Sequence, residues 1–288
     1  MQAPRAAPVN VGDMHVTSLG GGRYRVLGIL GHGGMGTVYH CHDTRGGGEV
    51  AVKELVPPSG RAAADRIAQF QDEARLLGAL WHPHLPRVHA AFEEQGHHYI
   101  VMERIVGVTM RDRVEAHGRP PRAESLRWLD RLLDVLGFLH AQSPPVVFRD
   151  MSPDNVMVND TDLKLIDFGL ARRLQPDERT RPSLSGWGSP GFAAPEHYTN
   201  RGTSTASDLY GVAAIGYWLL TGDAPPEAVH RLVHGDSGLP VLDTHVPPSL
   251  AEWVRKGMAL DAAGRFPSAE PMRQALLEAA DHAAAHDA

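Results

Sequence analysis

Cysteine occurs once in the 288 residues, at Cys41, and lysine three times, at Lys53, Lys164 and Lys256. A lone cysteine excludes an internal disulfide framework and fits a reducing compartment, so a cytoplasmic setting is expected. Long apolar runs are missing too. A clean apolar run covers residues 212–220, far short of the roughly 18 to 20 residues a bilayer needs, so no membrane span is expected. The N-terminal MQAPRAAPVN lacks the apolar core of a signal peptide. Acids outnumber bases 34 to 28, for a formal net charge of −6. That balance argues against nucleic acid or an anionic membrane as partner. Histidine is plentiful, yet no pair has a dense metal-ligand spacing such as HExxH. No repeat of fixed length is visible.

What remains is a chain of globular composition, long enough to bury roughly 75% of its unfolded surface. Residues 1–22 read as a flexible leader, Ala/Pro-rich and closed by Gly20, Gly21 and Gly22. Residues 277–288 read as a flexible Ala/His/Asp tail without a strong apolar period. In between, short β-rich segments joined by glycines (24–29, 37–41, 50–56) suggest an antiparallel meander. A helix follows over 62–80, with Ile67, Phe70, Ala74 and Leu77 at helical spacing, and then a strand pair over 88–93 and 98–103. The rest turns mostly helical. Leu126, Leu129, Leu132, Leu133, Leu136 and Leu139 form one stripe, stopped by Pro144 and Pro145. Two short β segments, 156–158 and 163–166, interrupt the helical half, and residues 208–220 are apolar almost all round and closed by Gly222. The expected class is α+β: a small antiparallel β-rich N-lobe with one helix (about 23–103) and a larger, mainly helical C-lobe (about 106–276), with a ligand cleft between them.

Six short motifs carry the chemistry. Residues 31–38 fit G-x-G-x-x-G-x-V. Glycines let backbone N–H groups approach phosphate oxygens with no Cβ in the way. Alone, the motif equally describes a glycine-rich hairpin. A dinucleotide fold wants strand–turn–helix, whereas Thr37-Val38-Tyr39 continues as strand. The second motif is Ala51-Val52-Lys53-Glu54, where a lysine survives in a chain that otherwise uses arginine. The third is Glu73, near the apolar face of its helix, where a carboxylate is costly unless a cation such as Lys53 meets it. Residues 148–155, Asp167-Phe168-Gly169 and Ala194-Pro195-Glu196 complete the set. Any one tripeptide is weak; six in this order and spacing are not chance.

With these motifs the chain resembles the eukaryotic-type (Hanks-type) serine/threonine protein kinases, bacterial branch, over about residues 23–276. The resemblance implies a kinase-like two-lobed fold and transfer of the ATP γ-phosphate to Ser/Thr hydroxyls of proteins, with autophosphorylation. It implies ATP with Mg²⁺, or Mn²⁺ as the alternative ion. Gly31, Gly33, Gly34 and Gly36 would cover the phosphates. Val38 and Ala51 would sandwich adenine against Met157. Lys53 would hold the α/β-phosphates and pair with Glu73. Met102 matches the gatekeeper, and Glu103 to Ile105 the hinge. Asp150 matches the catalytic aspartate; Asn155 and Asp167 match the metal ligands. Glu196 should pair with Arg265, and Asp208 should brace the catalytic loop. Residues 188–196 resemble the protein-substrate docking segment. Arg149 implies control by phosphorylation of the loop that holds Thr180, Ser183 and Ser185. A homodimer through the small lobe stays open.

Two positions depart from the family. Phe148 replaces a histidine and is expected to fill its place beside Leu77 and Phe168. Ser152 replaces a lysine that neutralises the transferring phosphoryl group, a charge worth on the order of 10²–10³ in rate. Arg172 and Arg173 are the nearby substitutes. Ser152 keeps open a second reading, an ATP-binding pseudokinase that acts as a scaffold. A small-molecule kinase is the third.

Overall fold

A computed structural model describes residues 16–33, 36–57, 62–174, 189–199, 202–234, 242 and 246–287. The chain forms two compact units, one up to Val106 and one from Gly107.

The N-terminal unit is a six-stranded antiparallel sheet with one helix. Its elements are β1 (Ser18–Leu19), β2 (Tyr24–Gly33), β3 (Gly36–Asp43), β4 (Glu49–Leu55), α1 (Ala62–Gly78), β5 (Val88–Glu94) and β6 (His97–Glu103), in the spatial order β1-β2-β3-β4-β6-β5. Strand β3 shows why the sheet forms. Thr37, Tyr39, Cys41 and Asp43 alternate inward while their neighbours stay half-exposed, the period-two pattern of a sheet with one buried face. That face collects Tyr24, Val26, Tyr39, Cys41, Val52, Tyr99 and Val101. Phe92 stacks on Tyr24 at 5.7 Å and on Tyr99 at 4.8 Å. The other face packs Leu55 and Ile100 against Phe70 of α1.

Residues 18–22 do not belong to a flexible leader. Ser18 and Leu19 pair with Arg25 and Tyr24, and Leu19 is buried. The triple glycine that reads as a linker is the turn itself. Gly20, Gly21 and Gly22 all have positive φ (61°, 63°, 88°), a conformation that disfavours any residue with a Cβ. Glu94 fixes this turn, accepting the Gly20 and Gly21 N–H groups on separate carboxylate oxygens at 2.9 Å each.

The C-terminal unit is mainly helical. It contains β7 (Val108–Thr109), α2 (Met110–His117), α3 (Arg122–His140), β8 (Val146–Val147), β9 (Val156–Val158), β10 (Leu163–Leu165), β11 (Arg172–Arg173), α4 (Thr205–Thr221), α5 (Ala228–His234), α6 (Pro248–Gly257) and α7 (Ala269–Asp287). Helix α4 is buried on every side from Ser207 to Leu220, as an all-round apolar helix must be, and it ends at Gly222 with φ 89°. Helices α3 and α6 pack on it, and α7 packs on both of them. The expected leucine stripe of α3 is buried from Leu129 to Leu139, and Trp128 and Val135 join it. The flexible tail expected from 277 is instead helix to Asp287. Its buried face continues as Leu276, Ala279 and Ala283, a helical spacing made of side chains too small to register as an apolar period.

Three small strands, in the order β10-β9-β7, and a pair, β11-β8, frame the loops of this unit. The two-residue strands β7, β8 and β11 have no sequence signal. Among the described residues no helix is long and apolar enough to cross a membrane.

Candidate functional site

In the N-terminal unit the sheet register brings most of the expected nucleotide residues side by side. Strands β2 and β3 form a hairpin in which Gly31 faces Val38 and Gly33 faces Gly36. Gly34 and Met35 lie outside the described residues. Val38 faces Lys53 across β3 and β4, and Ala51 faces Met102 across β4 and β6. Ala51 is buried; Val38, Met102, Glu103 and Ile105 are half-buried. Glu103 N donates to the Arg87 carbonyl at 2.8 Å, and its carboxylate accepts from Arg87 N at 3.2 Å, which fixes the end of β6.

Lys53 and Glu73 meet as their chemistry requires. The ammonium donates to both carboxylate oxygens, at 2.8 and 3.0 Å. Glu73 is 4% exposed, so this pair settles the cost of a carboxylate on the apolar face of α1. Glu54 points to the opposite face of the sheet from its neighbour Lys53. It accepts from Tyr39 at 2.8 Å and Tyr99 at 2.9 Å, and His97 Nδ1 lies 2.7 Å away. Strand alternation thus keeps this second carboxylate away from Lys53. Burial, reinforced by Glu54, pushes the Tyr39 phenol up to about 12.

In the C-terminal unit a second constellation forms around Asp150. Asn155 Nδ2 donates to the Asp150 carbonyl and to its Oδ2, both at 2.8 Å. Ser189 approaches the other oxygen, Oδ1, with its N–H at 3.2 Å and its hydroxyl at 3.1 Å. The Asp150 carboxylate is therefore held from both sides, and it already accepts a seryl hydroxyl. Ile166 N donates to the Asn155 carbonyl at 2.8 Å, which ties the residue before Asp167 to Asn155. Asp167 has φ 63°, and its Oδ1 accepts from Gly169 N at 3.3 Å. Met157 is half-buried on β9, facing Lys164 on one side and Thr109 on the other.

Asp208, fully buried in the first turn of α4, holds this loop from behind. It accepts from Phe148 N and Arg149 N at 2.8 Å each, and His140 Nε2 lies 2.9 Å from its Oδ2. Gly211 lets α4 come this close, because a Cβ there would stand 2.5 Å from the Met151 Cβ. Phe148 meets Phe168 edge-on at 5.0 Å. Arg149 sits at φ 75°. Burial, with Arg172 nearby, lowers its pKa, and among the described residues it has no ion-pair partner. Arg172 bonds the Ala171 carbonyl at 2.7 Å, and Arg173 pairs with Val146 at the end of its strand. Ser152 is fully buried, and among the described residues its hydroxyl has no hydrogen-bond partner. Thr180, Ser183, Ser185 and Gly188 lie outside the described residues.

Glu196 and Arg265 form the expected anchor, a two-bond fork at 2.7 and 2.8 Å. Burial opposes the Glu196 charge, but Arg265 and Ser207 outweigh it and hold the carboxyl below its ordinary value. Sequence reasoning missed three contributors: the bond from Ser189 to Asp150, His140 behind Asp208, and Arg111 on Asp154 at 2.9 Å. His140 ends an apolar helix and so reads as a cap. Nothing in local spacing links Ser189 to a residue 39 positions earlier.

The protein kinase domain model matches residues 24–237. The chain is 32% identical over 277 residues to serine/threonine-protein kinase PknD of Mycobacterium tuberculosis, covering 93% of this chain and 41% of PknD. It is 33% identical over 282 residues to serine/threonine-protein kinase pkn2 of Myxococcus xanthus, covering 93% of this chain and 33% of the relative. It is 30% identical over 270 residues to serine/threonine-protein kinase PrkC of Bacillus subtilis, at 90% and 41%. The chain thus spans well under half the length of these relatives.

Proposed function

The chain belongs to the protein kinase family, and from that premise we propose that it transfers the γ-phosphate of ATP to serine and threonine hydroxyls of proteins. The observation that carries this reading is the Asp150 carboxylate. It is immobilised by Asn155 on one oxygen and accepts a seryl hydroxyl on the other. An acceptor hydroxyl that takes the place of Ser189 Oγ would be oriented by the same oxygen and would give up its proton to it. Asn155 keeps Asp150 from rotating, and Asp208 keeps the loop from shifting.

Lys53, locked by Glu73, is the group proposed to hold the α/β-phosphates, under the glycine hairpin of β2 and β3. Ala51, Val38, Met102, Glu103 and Ile105 of the N-terminal unit are proposed to hold the adenine. The donor set fits Mg²⁺. Both Asn155 amide hydrogens are engaged on Asp150, which leaves its oxygen for a hard cation, and Asp167 supplies a carboxylate from an adjacent strand end. Among the described residues no cluster of three His, Cys, Asp or Glu could hold a metal alone. When bound, the metal would neutralise phosphate charge. Arg149, a half-buried cation beside Arg172, is proposed to receive a phosphate added to the loop beyond 174.

Ser152 is the one observation behind a second reading, an ATP-binding scaffold, because a buried hydroxyl offers no cation to the transferring group; the family match and the relatives named as kinases favour the enzyme. Purified protein with radiolabelled ATP, Mg²⁺ and a generic protein acceptor separates the two. Label incorporated by wild type and lost in Asp150→Asn supports the enzyme. ATP binding with no label in either supports the scaffold.

A further inference from the structure

Arg111 lies in the first turn of α2 and takes no part in the transfer described above. Its Nε donates to both oxygens of Asp154, at 3.0 and 2.9 Å. Its guanidinium carbon stands 5.8 Å from the ring centroids of both Phe192 and Trp218. Those rings are buried and meet edge-on at 6.4 Å. The three neighbours belong to three parts of the Asp150 constellation. Asp154 is the residue before Asn155. Phe192 N donates to the Ser189 carbonyl at 2.9 Å. Trp218 sits on α4, the helix that carries Asp208. One guanidinium therefore spans the corner where the Asp150 loop meets the Ser189 segment.

Two consequences follow for any polypeptide whose hydroxyl reaches Asp150. The Asp154 carboxylate, four residues on, already has a matched cation, so a basic side chain finds its charge taken. Arg111 also has donors to spare. Its hydrogen bonds to described residues use Nε alone, and its side chain is 26% exposed. A guanidinium carries five donors in a planar fork. Clamped by a carboxylate and two rings, it can receive an anion with little further ordering.

Resting on the reading of Asp150 as the acceptor-binding group, we propose that Arg111 is a specificity-determining residue. It binds an anionic side chain flanking the acceptor Ser or Thr, so protein substrates are acidic around the phosphorylated site. The test uses four peptides with one serine in a Gly/Ala frame: neutral, Asp-flanked, phosphoserine-flanked and Arg-flanked. For each variant kcat/KM is expressed relative to its own neutral peptide. Wild type should prefer an anionic flank by roughly tenfold, the scale of one partly exposed charge-assisted fork. A higher ratio for phosphoserine than for Asp would identify phosphate as the anion.

Arg111→Met should abolish that preference and, by releasing Asp154, raise the Arg-flanked peptide above the neutral one. Asp154→Asn should keep the acidic preference. The double variant Arg111→Met with Asp154→Asn should show neither. A merely structural Arg111 would lower all four peptides together and leave the ratios unchanged. Binding of the same peptides, followed by fluorescence anisotropy without ATP, separates the two levels of the reading. Arg111-dependent binding of anionic peptides with no transfer keeps this inference and removes the enzymatic one. Equal handling of anionic and neutral peptides by wild type in both assays overturns it, as does an acidic preference that survives Arg111→Met.

Discussion

Replacing Arg265 with methionine tests how the C-terminal unit is held together. The Arg265 side chain has no exposed surface, and it gives five hydrogen bonds: two to Glu196, and one each to the carbonyls of Ala259, Ala206 and Leu260. Methionine fills similar volume but leaves the Glu196 carboxylate with Ser207 as its remaining side-chain donor, at 2.6 Å. Removing one partner of a buried ion pair costs about 3–5 kcal/mol, because the other charge stays buried. For a unit of this size each kcal/mol moves the midpoint by roughly 2–4 °C, so a fall of about 6–20 °C is expected.

The pH dependence adds a second check. The Glu196 pKa is depressed in the wild type, so its contribution is present above the ordinary carboxylate pKa and fades as pH falls through the depressed value. In the variant, burial acts on Glu196 unopposed by Arg265, and acidification relieves the stranded charge. The gap between the two midpoints should therefore narrow from pH 7 to pH 4.5. Thermal unfolding followed by far-ultraviolet circular dichroism reads both. A midpoint within 2 °C of wild type, or a gap that widens in acid, would refute the reasoning.

Lys53→Met should lower phosphate transfer by at least about 10². It should also lower the thermal midpoint, because Glu73 loses its buried partner; Glu73→Gln should cost less stability, and a radiolabel assay beside a melting curve checks both. Gly36→Ala should weaken both folding and nucleotide binding: Gly36 has φ 129°, and a Cβ there would run into the Glu54 carbonyl oxygen. A calorimetric titration with ATP that matches wild type would show the hairpin to be more pliant than its register implies. Tyr39, raised to about 12, contributes stability that is fully present below the ordinary tyrosine value near 10 and is lost as pH rises toward 12. All six tyrosines have raised pKa values, so absorbance at 295 nm should show the phenols ionising late, together with alkaline unfolding, and Tyr39→Phe should lower the amplitude of that step by one phenol.

Most of the α+β architecture was legible because it rests on local periodicity. Strand β3 alternates, α3 carries a leucine stripe, and α4 is apolar on all sides, so each declares its burial within a few residues. Elements that depend on distant partners did not show. Strand β1 exists because β2 offers it a sheet edge and Glu94 secures its turn, and β8 and β11 exist only as each other's partner. The end of α7 was hidden for a different reason: alanine buries well but adds little to an apolar pattern. The site was legible in its residue types, since six motifs kept their order. It was not legible in its cross-links. Ser189 on Asp150, Arg111 on Asp154 and His140 on Asp208 join residues 39, 43 and 68 positions apart.

The two family departures have unequal physical weight, and the structure says why. Phe148 replaces a side chain, but the loop is fastened here through its main chain. Phe148 N and Arg149 N both reach Asp208, and His140, from another helix, sits against the same carboxylate. The Phe148 ring finds an edge-on partner in Phe168. Ser152 differs because what its position loses is charge, and charge cannot be restored by packing. Its hydroxyl is buried, and among the described residues it has no hydrogen-bond partner, so no hydrogen bond to them lets it steady the loop. Arg172 lies beside Arg149, and its bond to Ala171 holds it at the start of β11. Under the proposed function, any compensation for the missing ammonium would have to come from the other groups proposed to handle phosphate. If the proposed transfer occurs, a slow enzyme is the expected consequence, with the substrate ratios proposed for Arg111 unchanged while the absolute rate is low.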